Sequence, residues 1–396
     1  MPDVNYDESN VPDYTLPDPL LRDDGTIIKT IDAWESEQRP HLLSIFEEQI
    51  YGQAPPLPDT IDRTSHVVEH IVFDALGVRR QITVPLLNSE SSPTMLMSLY
   101  LPVGAFAPVD IFLGLNFNGN HSLEPDDSIL ISSGWERHNS DDEIGRGAKA
   151  SLWSLEQILS RGYGLATIYH ADITTDLKDG YDGNIFSYFY KDGQTQPEPN
   201  QWGAIGAWAW GLRRAMDYLL THESSVNRIM LMGHSRLGKA ALWAGVQDDR
   251  CALAVSNNSG CMGAALSRRA FGETVEAINT NWSRWLCKDF HQYNGKESDL
   301  PIDQHTLITL MAPRPVYIAS AEDDLWADPY GEFLGGYHAN LVYHLYGKEG
   351  LTATEQPILN QPSMGTIGYH IRTGEHDVTA FDWQCYLDFA DYHLRT

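Results

Sequence analysis

The sequence predicts an α/β protein: a three-layer αβα sandwich built on a mostly parallel central sheet. After residue 150, short apolar runs alternate with longer helix-forming runs, the pattern of strands joined by helical crossovers. Such crossovers cover both faces of a parallel sheet. No internal repeat, low-complexity tract or linker interrupts the chain after its first 25 residues. The reading is therefore one domain over residues 1–396, with 1–25 as an extended arm.

The elements follow in order. Residues 1–25 are rich in Pro and Asp and read as the arm. "AWESEQRPHLLSIFEEQIYG" has helical periodicity and stops at Gly52. Between residues 66 and 116, "HVVEHIVFDA", "RQITVPLL", "TMLMSLYLP" and "DIFLGLNFN" read as strands separated by turn residues. The alternating half then runs "SLWSLEQILSRGYG" (helix), "LATIYHA" (strand), "GAWAWGLRRAMDYLLTH" (helix) and "RIMLMGH" (strand). It continues with "GKAALWAGVQ" (helix), "CALAVSNN" (strand), "PIDQHTLITLMAP" (helix), "RPVYIAS" (strand) and "FDWQCYLDFADYHLR" (helix). The polar, aromatic insertion "DITTDLKDGYDGNIFSYFYKDGQTQPEPN" reads as a functional or mobile loop.

Composition limits the function. Hydrophobic residues make up 42% of the chain, enough for a packed core. No run approaches the roughly 20 apolar residues of a membrane helix. A net charge of −27, from 27 basic and 54 acidic residues, argues against nucleic acid as a partner. The four cysteines show no CxxC spacing; Cys251 and Cys261 read as either a bridge or two buried thiols. The acidic N-terminal stretch lacks the apolar core of a signal peptide. Neither HExxH nor a Walker loop occurs, so no metal or cofactor is expected, nor a protein partner.

Chemistry is concentrated around "LMGHSRLGKAAL", residues 231–242. Ser235 follows a predicted strand and opens a predicted helix, the setting of a nucleophile elbow in an α/β-hydrolase. The pattern departs from G-x-S-x-G: Leu237 holds the second small position and Gly238 comes one residue later. Taken alone, the serine is as readily a helix cap as a nucleophile. An acid and a histidine follow in the hydrolase order. "RPVYIAS" runs into a carboxylate cluster of Glu322, Asp323 and Asp324, and "GYHIRTGEHDV" supplies His370 and His376. His370 reads as structural. "GLNFNGNH" is a candidate second source of oxyanion amides.

"GHSRLGKAALWAG" resembles the nucleophile motif of glucuronoyl esterases, carbohydrate esterase family fifteen. "SNNSGCMGAALSRR", "LPIDQHTLITLMAPRPVYIASAEDDLWADPYGEF" and "GEHDVTAFDW" are similar to its bacterial branch, from about residue 40 to the C-terminus. The resemblance implies hydrolysis of the ester joining 4-O-methyl-glucuronic acid of xylan to lignin alcohols, by a secreted or periplasmic enzyme. It implies Ser235 as nucleophile, His376 as base and Arg236 in the oxyanion hole. It further implies Lys239, Glu273 and Trp326 as substrate-binding residues. Asp324 is the expected acid, because it precedes Trp326 by two residues as in bacterial members, while Asn258 stands where fungal members carry theirs. His234 stands where many members have Cys. Read locally, Lys239 lies one helical turn beyond Ser235 on a shared face, Glu273 follows two arginines and could pair with one, and Arg236 could form a structural salt bridge. Alternatives are a carbohydrate esterase acting on another ester, such as acetyl-xylan, or a catalytically silent carbohydrate-binding relative.

Overall fold

Strand after strand, the side chains sort to two opposite cores. In β6 (Val226–His234), Ile229 and Leu231 enter one core while Met230 and Met232 enter the other. The same split separates Ala254 from Leu253 and Val255 in β7 (Cys251–Asn257), and Ile318 from Tyr317 and Ala319 in β8 (Val316–Ala321). Strands buried on both faces need apolar residues at nearly every position, which is why these segments read as continuous apolar runs. The computed structural model describes residues 4–59, 67–89, 91–105, 107–132, 145–176 and 185–395.

Among the described residues, nine strands form one sheet in the order β1-β2-β3-β5-β4-β6-β7-β8-β9. The remaining strands are β1 (Val67–Val72), β2 (Gly77–Pro85), β3 (Thr94–Pro102), β4 (Val109–Asn116), β5 (Gly164–Tyr169) and β9 (Ile367–Arg372). Pairings from β1 to β5 are antiparallel; those from β5 through β4 to β9 are parallel. The chain leaves β4 for β5 on one side and later returns to β6 on the other. A crevice therefore opens at the carboxyl ends of these strands, where α/β proteins place ligands.

The helices Ala204–His222 and Arg236–Gln247 pack their apolar faces into one core, and Ala380–Leu394 packs into the other. The helix before Gly52 is interrupted by a π turn at Trp34–Gln38 before continuing as Arg39–Gln49. The segment read as a single helix after residue 150 is two pieces, Ala150–Trp153 and Leu155–Ser160, broken at Ser154 with φ 39°. Residues 177–184 of the long insertion lie outside the described residues; Ile185–Phe189 forms a 3-10 turn. Cys251 and Cys261 are free and buried, so there is no bridge between them. The N-terminal segment carries a 3-10 turn at Glu8–Asn10 and lies against the body through His305 Nε2 to Pro17 O (2.8 Å).

Candidate active site

Four loops at the carboxyl ends of β6 to β9 meet around one cleft of about 300 Å³. Ser235, Arg236, Lys239, Glu273, Asp324, Trp326 and His376 all line it.

Ser235 links β6 to the following helix at φ 57°, ψ −135°. This is a sparsely populated region for a residue with a Cβ, costing about 1–3 kcal/mol, and such strain gathers at functional positions. Its backbone is held on both sides: Ser235 N donates to Asn257 O (2.9 Å), and Gly238 N donates to Ser235 O (2.8 Å). Glycine is required at 233, where a Cβ would stand 2.1 Å from Leu237 O. The helix N-terminus directs its amides toward the cleft.

His376 comes from the loop after β9. Its Nδ1 lies 2.5 Å from Asp324 Oδ2, and Asn258 Nδ2 donates to the same oxygen at 2.8 Å. Burial works to raise the Asp324 carboxyl, but the His376 and Asn258 contacts outweigh it and hold the group below the usual carboxylate range. Of the three clustered acids, Asp324 is buried, whereas Glu322 is half-buried and Asp323 exposed. With Nδ1–H donated to Asp324, the His376 Nε2 is left as the acceptor. Among the described residues no hydrogen bond closes Ser235 Oγ onto this ring, a looseness common in unliganded sites.

His234 packs against His376, ring centroids 4.4 Å apart and the rings tilted by 42°. Asn257 Nδ2 donates to Tyr386 Oη (2.8 Å), so its Oδ1 faces His234 Nδ1 (2.6 Å) and accepts from it. Burial, then the neighbouring His376, push His234 down to about 3, so it stays neutral. His370 is elsewhere, fully buried between Tyr317 Oη and Asp382 Oδ1, each 2.9 Å away.

The opposite wall holds two ion pairs. Lys239 is 2% exposed, and its Nζ donates to Ser259 O (2.7 Å), Cys261 O (2.5 Å) and Glu273 Oε2 (2.6 Å). An ammonium has three hydrogens, and all three are engaged. Glu273 pairs with this lysine and with neither preceding arginine: Arg268 goes to Asp303, and Arg269 to Glu8 and Asp328. Burial raises the Glu273 carboxyl, with Lys239 opposing. Arg236 Nε lies 2.5 Å from Asp176 Oδ2, an ion pair off the hydrogen-bond line. Its guanidinium carbon sits 4.4 Å from the Phe117 ring centre and 5.6 Å from that of Trp285. Trp282 and Trp285 stack at 4.5 Å, and Trp326 meets Trp282 edge-on at 6.3 Å.

Several contributors carry no local sequence signal. Asp176 lies far along the chain from Arg236 and from Trp285, whose Nε1 it binds at 2.5 Å. Glu332, fully buried, accepts from Ser259 N (2.7 Å), Gly260 N (3.0 Å) and Ser320 Oγ (2.7 Å) and so braces the turn beside Asn258. In "GLNFNGNH", the side-chain amides of Asn116 and Asn120 donate internally, to Asn120 Oδ1, Thr167 Oγ1 and Leu96 O.

Residues 155–347 match a protein family described as "Glucuronyl esterase, fungi". The chain is 47% identical to carbohydrate esterase MZ0003, from an unknown prokaryotic organism, over 98% of this chain and 92% of that one. Among solved structures, a promiscuous CE15 esterase from the marine bacterial metagenome superposes with a TM-score of 0.89 at 45% identity, covering 99% of this chain and all of that one. A glucuronoyl esterase from Solibacter usitatus does so with 0.92 at 42% identity, covering 98% of this chain and all of that one.

Proposed function

The chain belongs to the glucuronoyl esterases of carbohydrate esterase family 15, and on that premise we propose that it cleaves the ester between (4-O-methyl-)glucuronic acid of glucuronoxylan and lignin alcohols, using Ser235, His376 and Asp324. As a glucuronoyl esterase it is a carboxylic ester hydrolase. The observation that carries the catalytic assignment is the pairing of a strained Ser235 with a histidine held by a buried carboxylate in one cleft.

Ser235 Oγ attacks the uronate carbonyl while His376 Nε2 takes its proton. The carbonyl electrons move onto oxygen, and the first amides of the Arg236–Gln247 helix together with Arg236 face that oxyanion. Collapse expels the alcohol, which takes the proton from His376 and leaves a uronyl-serine ester. Water, deprotonated by the same Nε2, then releases the uronic acid and restores the serine. Asp324 stabilises the imidazolium in both halves.

Glu273 and Trp326 form the sugar wall. An indole face suits the apolar face of a pyranose, and the Glu273 carboxylate accepts from its hydroxyls. Lys239 acts through Glu273, keeping a buried carboxylate charged and aimed. A second reading, activity on acetyl esters such as acetylated xylan, is favoured by one observation: the marine relative is described as promiscuous. Hydrolysis of benzyl glucuronate against an acetylated xylo-oligosaccharide separates them. The reading expects kcat/KM to favour the uronate, and preference for the acetate would overturn it.

A further inference from the structure

We infer that Glu8 and Arg269, outside the cleft, are positioning residues for uronate binding: the N-terminal segment straps the loop that carries Glu273 against the turn that carries Trp326. The inference rests on the assignment of Glu273 and Trp326 as the sugar wall.

Three contacts make the strap. Glu8 accepts from Arg269 through both carboxylate oxygens, at 3.0 Å from Nη1 and 2.7 Å from Nη2. Gly272 N donates to Asn5 O at 2.8 Å. Tyr6 meets Phe271 edge-on at 6.3 Å. Arg269 is 2% exposed, so its charge depends on these partners, and its Nε also donates to Asp328 Oδ2 at 2.8 Å. Asp328 in turn caps the Pro329–Leu345 helix through Gly331 N.

The strapped loop leaves no slack. Gly272 sits at φ 61°, where a Cβ would lie 2.4 Å from Leu325 O and 2.5 Å from Trp326 O. One residue on, Glu273 N donates to Trp326 O at 2.8 Å. The two elements bearing the sugar wall thus touch backbone to backbone, and the N-terminal segment closes the stack from outside. A lateral shift of this loop, which follows β7, moves the Glu273 carboxylate without moving Ser235, Asp324 or His376, which stand on the loops after β6, β8 and β9. Glu8 therefore acts on substrate affinity and leaves the chemical step alone.

The experiment compares wild type, Glu8→Gln and Glu273→Gln on methyl glucuronate, an uncharged ester, and on 4-nitrophenyl acetate, which lacks the sugar. The Glu8 side chain is 58% exposed, so Glu8→Gln folds, and a melting curve verifies it. Losing one half-exposed but bidentate ion pair is expected to raise KM for methyl glucuronate about three- to fivefold, with kcat and acetate hydrolysis unchanged. Equal losses on both esters would make Glu8 a general stabiliser and overturn the strap. An unchanged KM in Glu8→Gln beside a raised KM in Glu273→Gln overturns the strap and keeps the wall. If Glu273→Gln also leaves KM unchanged, the wall assignment falls and the strap with it.

Discussion

Asn258 Nδ2 donates to Asp324 Oδ2 across 2.8 Å, onto the oxygen that His376 Nδ1 reaches at 2.5 Å. The residue that cannot itself carry charge at the end of β7 thus supports the carboxylate beyond β8. Asp324→Asn is expected to lower kcat by up to about 10⁴, because it favours the wrong imidazole tautomer. Asn258→Ala removes one charge-assisted hydrogen bond and should cost about tenfold. Glu322→Gln and Asp323→Asn should be mild, since both are tied to the strand region through their backbone amides, which donate to Arg372 O and Gly374 O. Steady-state kinetics on benzyl glucuronate test the series; a crippled Glu322→Gln beside a mild Asp324→Asn reassigns the acid.

The strain at Ser235 predicts opposite movements of stability and activity. Ser235→Gly should abolish turnover yet raise the unfolding free energy by about 1 kcal/mol, the relieved strain less the entropy of an added glycine. Ser235→Ala should abolish turnover with no gain, because alanine keeps the Cβ. Urea melts and benzyl glucuronate assays suffice, and a folded Ser235→Ala variant with near-wild-type turnover refutes the nucleophile.

The buried Lys239–Glu273 pair predicts a large single-variant cost. Lys239→Met leaves the buried Glu273 carboxyl without its partner and should destabilise by about 3–5 kcal/mol. Adding Glu273→Gln should recover most of that stability while uronate hydrolysis stays impaired relative to 4-nitrophenyl acetate. A double variant no more stable than Lys239→Met would show that the pair is not the source of the cost.

Burial pushes the Glu332 carboxyl up to about 8, against an ordinary 4.5. Between those values the folded chain holds a proton that the unfolded chain releases. Glu332 therefore contributes fully below about pH 4.5, and this contribution is lost as pH rises toward 8, with a slope of up to about 1.4 kcal/mol per pH unit. Glu332→Gln keeps an oxygen for the Ser259 and Gly260 amides and offers its NH₂ to Ser320 Oγ. It should flatten the stability profile across this window with activity at pH 7 retained. An unchanged slope in denaturant titrations at pH 5, 6, 7 and 8 would remove Glu332 as its cause.

How much of this was legible in the sequence follows from how far apart the causes lie. β6 and the helix after it were readable because both signals, an apolar run and an Ala-rich run, are local. The Pro329–Leu345 helix is not legible locally, since Gly331, Gly335 and Gly336 are poor helix formers. What rescues it is tertiary packing: a Cβ at Gly335 would lie 2.0 Å from Ala264 O. β9 carries no apolar-run signal because its polar His370 and Arg372 are buried against Asp382, a partner in the next helix. In the cleft, resemblance to a family selected the lining residues, but no spacing rule pairs Arg236 with Asp176 or Glu273 with Lys239. Those pairings exist only once the sheet has brought separate loops together.

The two glycines of the elbow have a consequence for recognising such sites elsewhere. Gly233 is excluded from substitution by the Leu237 carbonyl, whereas Leu237 turns its own side chain into the core. The crowding that a G-x-S-x-G search assigns to the second residue after serine falls here one place later. A Cβ at Gly238 would lie 3.0 Å from Gly233 O and 3.1 Å from Ser259 Cβ. A pattern search demanding a small residue at 237 passes over this chain although its turn is built as the pattern intends. A filter keyed to where the helix backbone approaches its strand, allowing glycine at either place, would retrieve it.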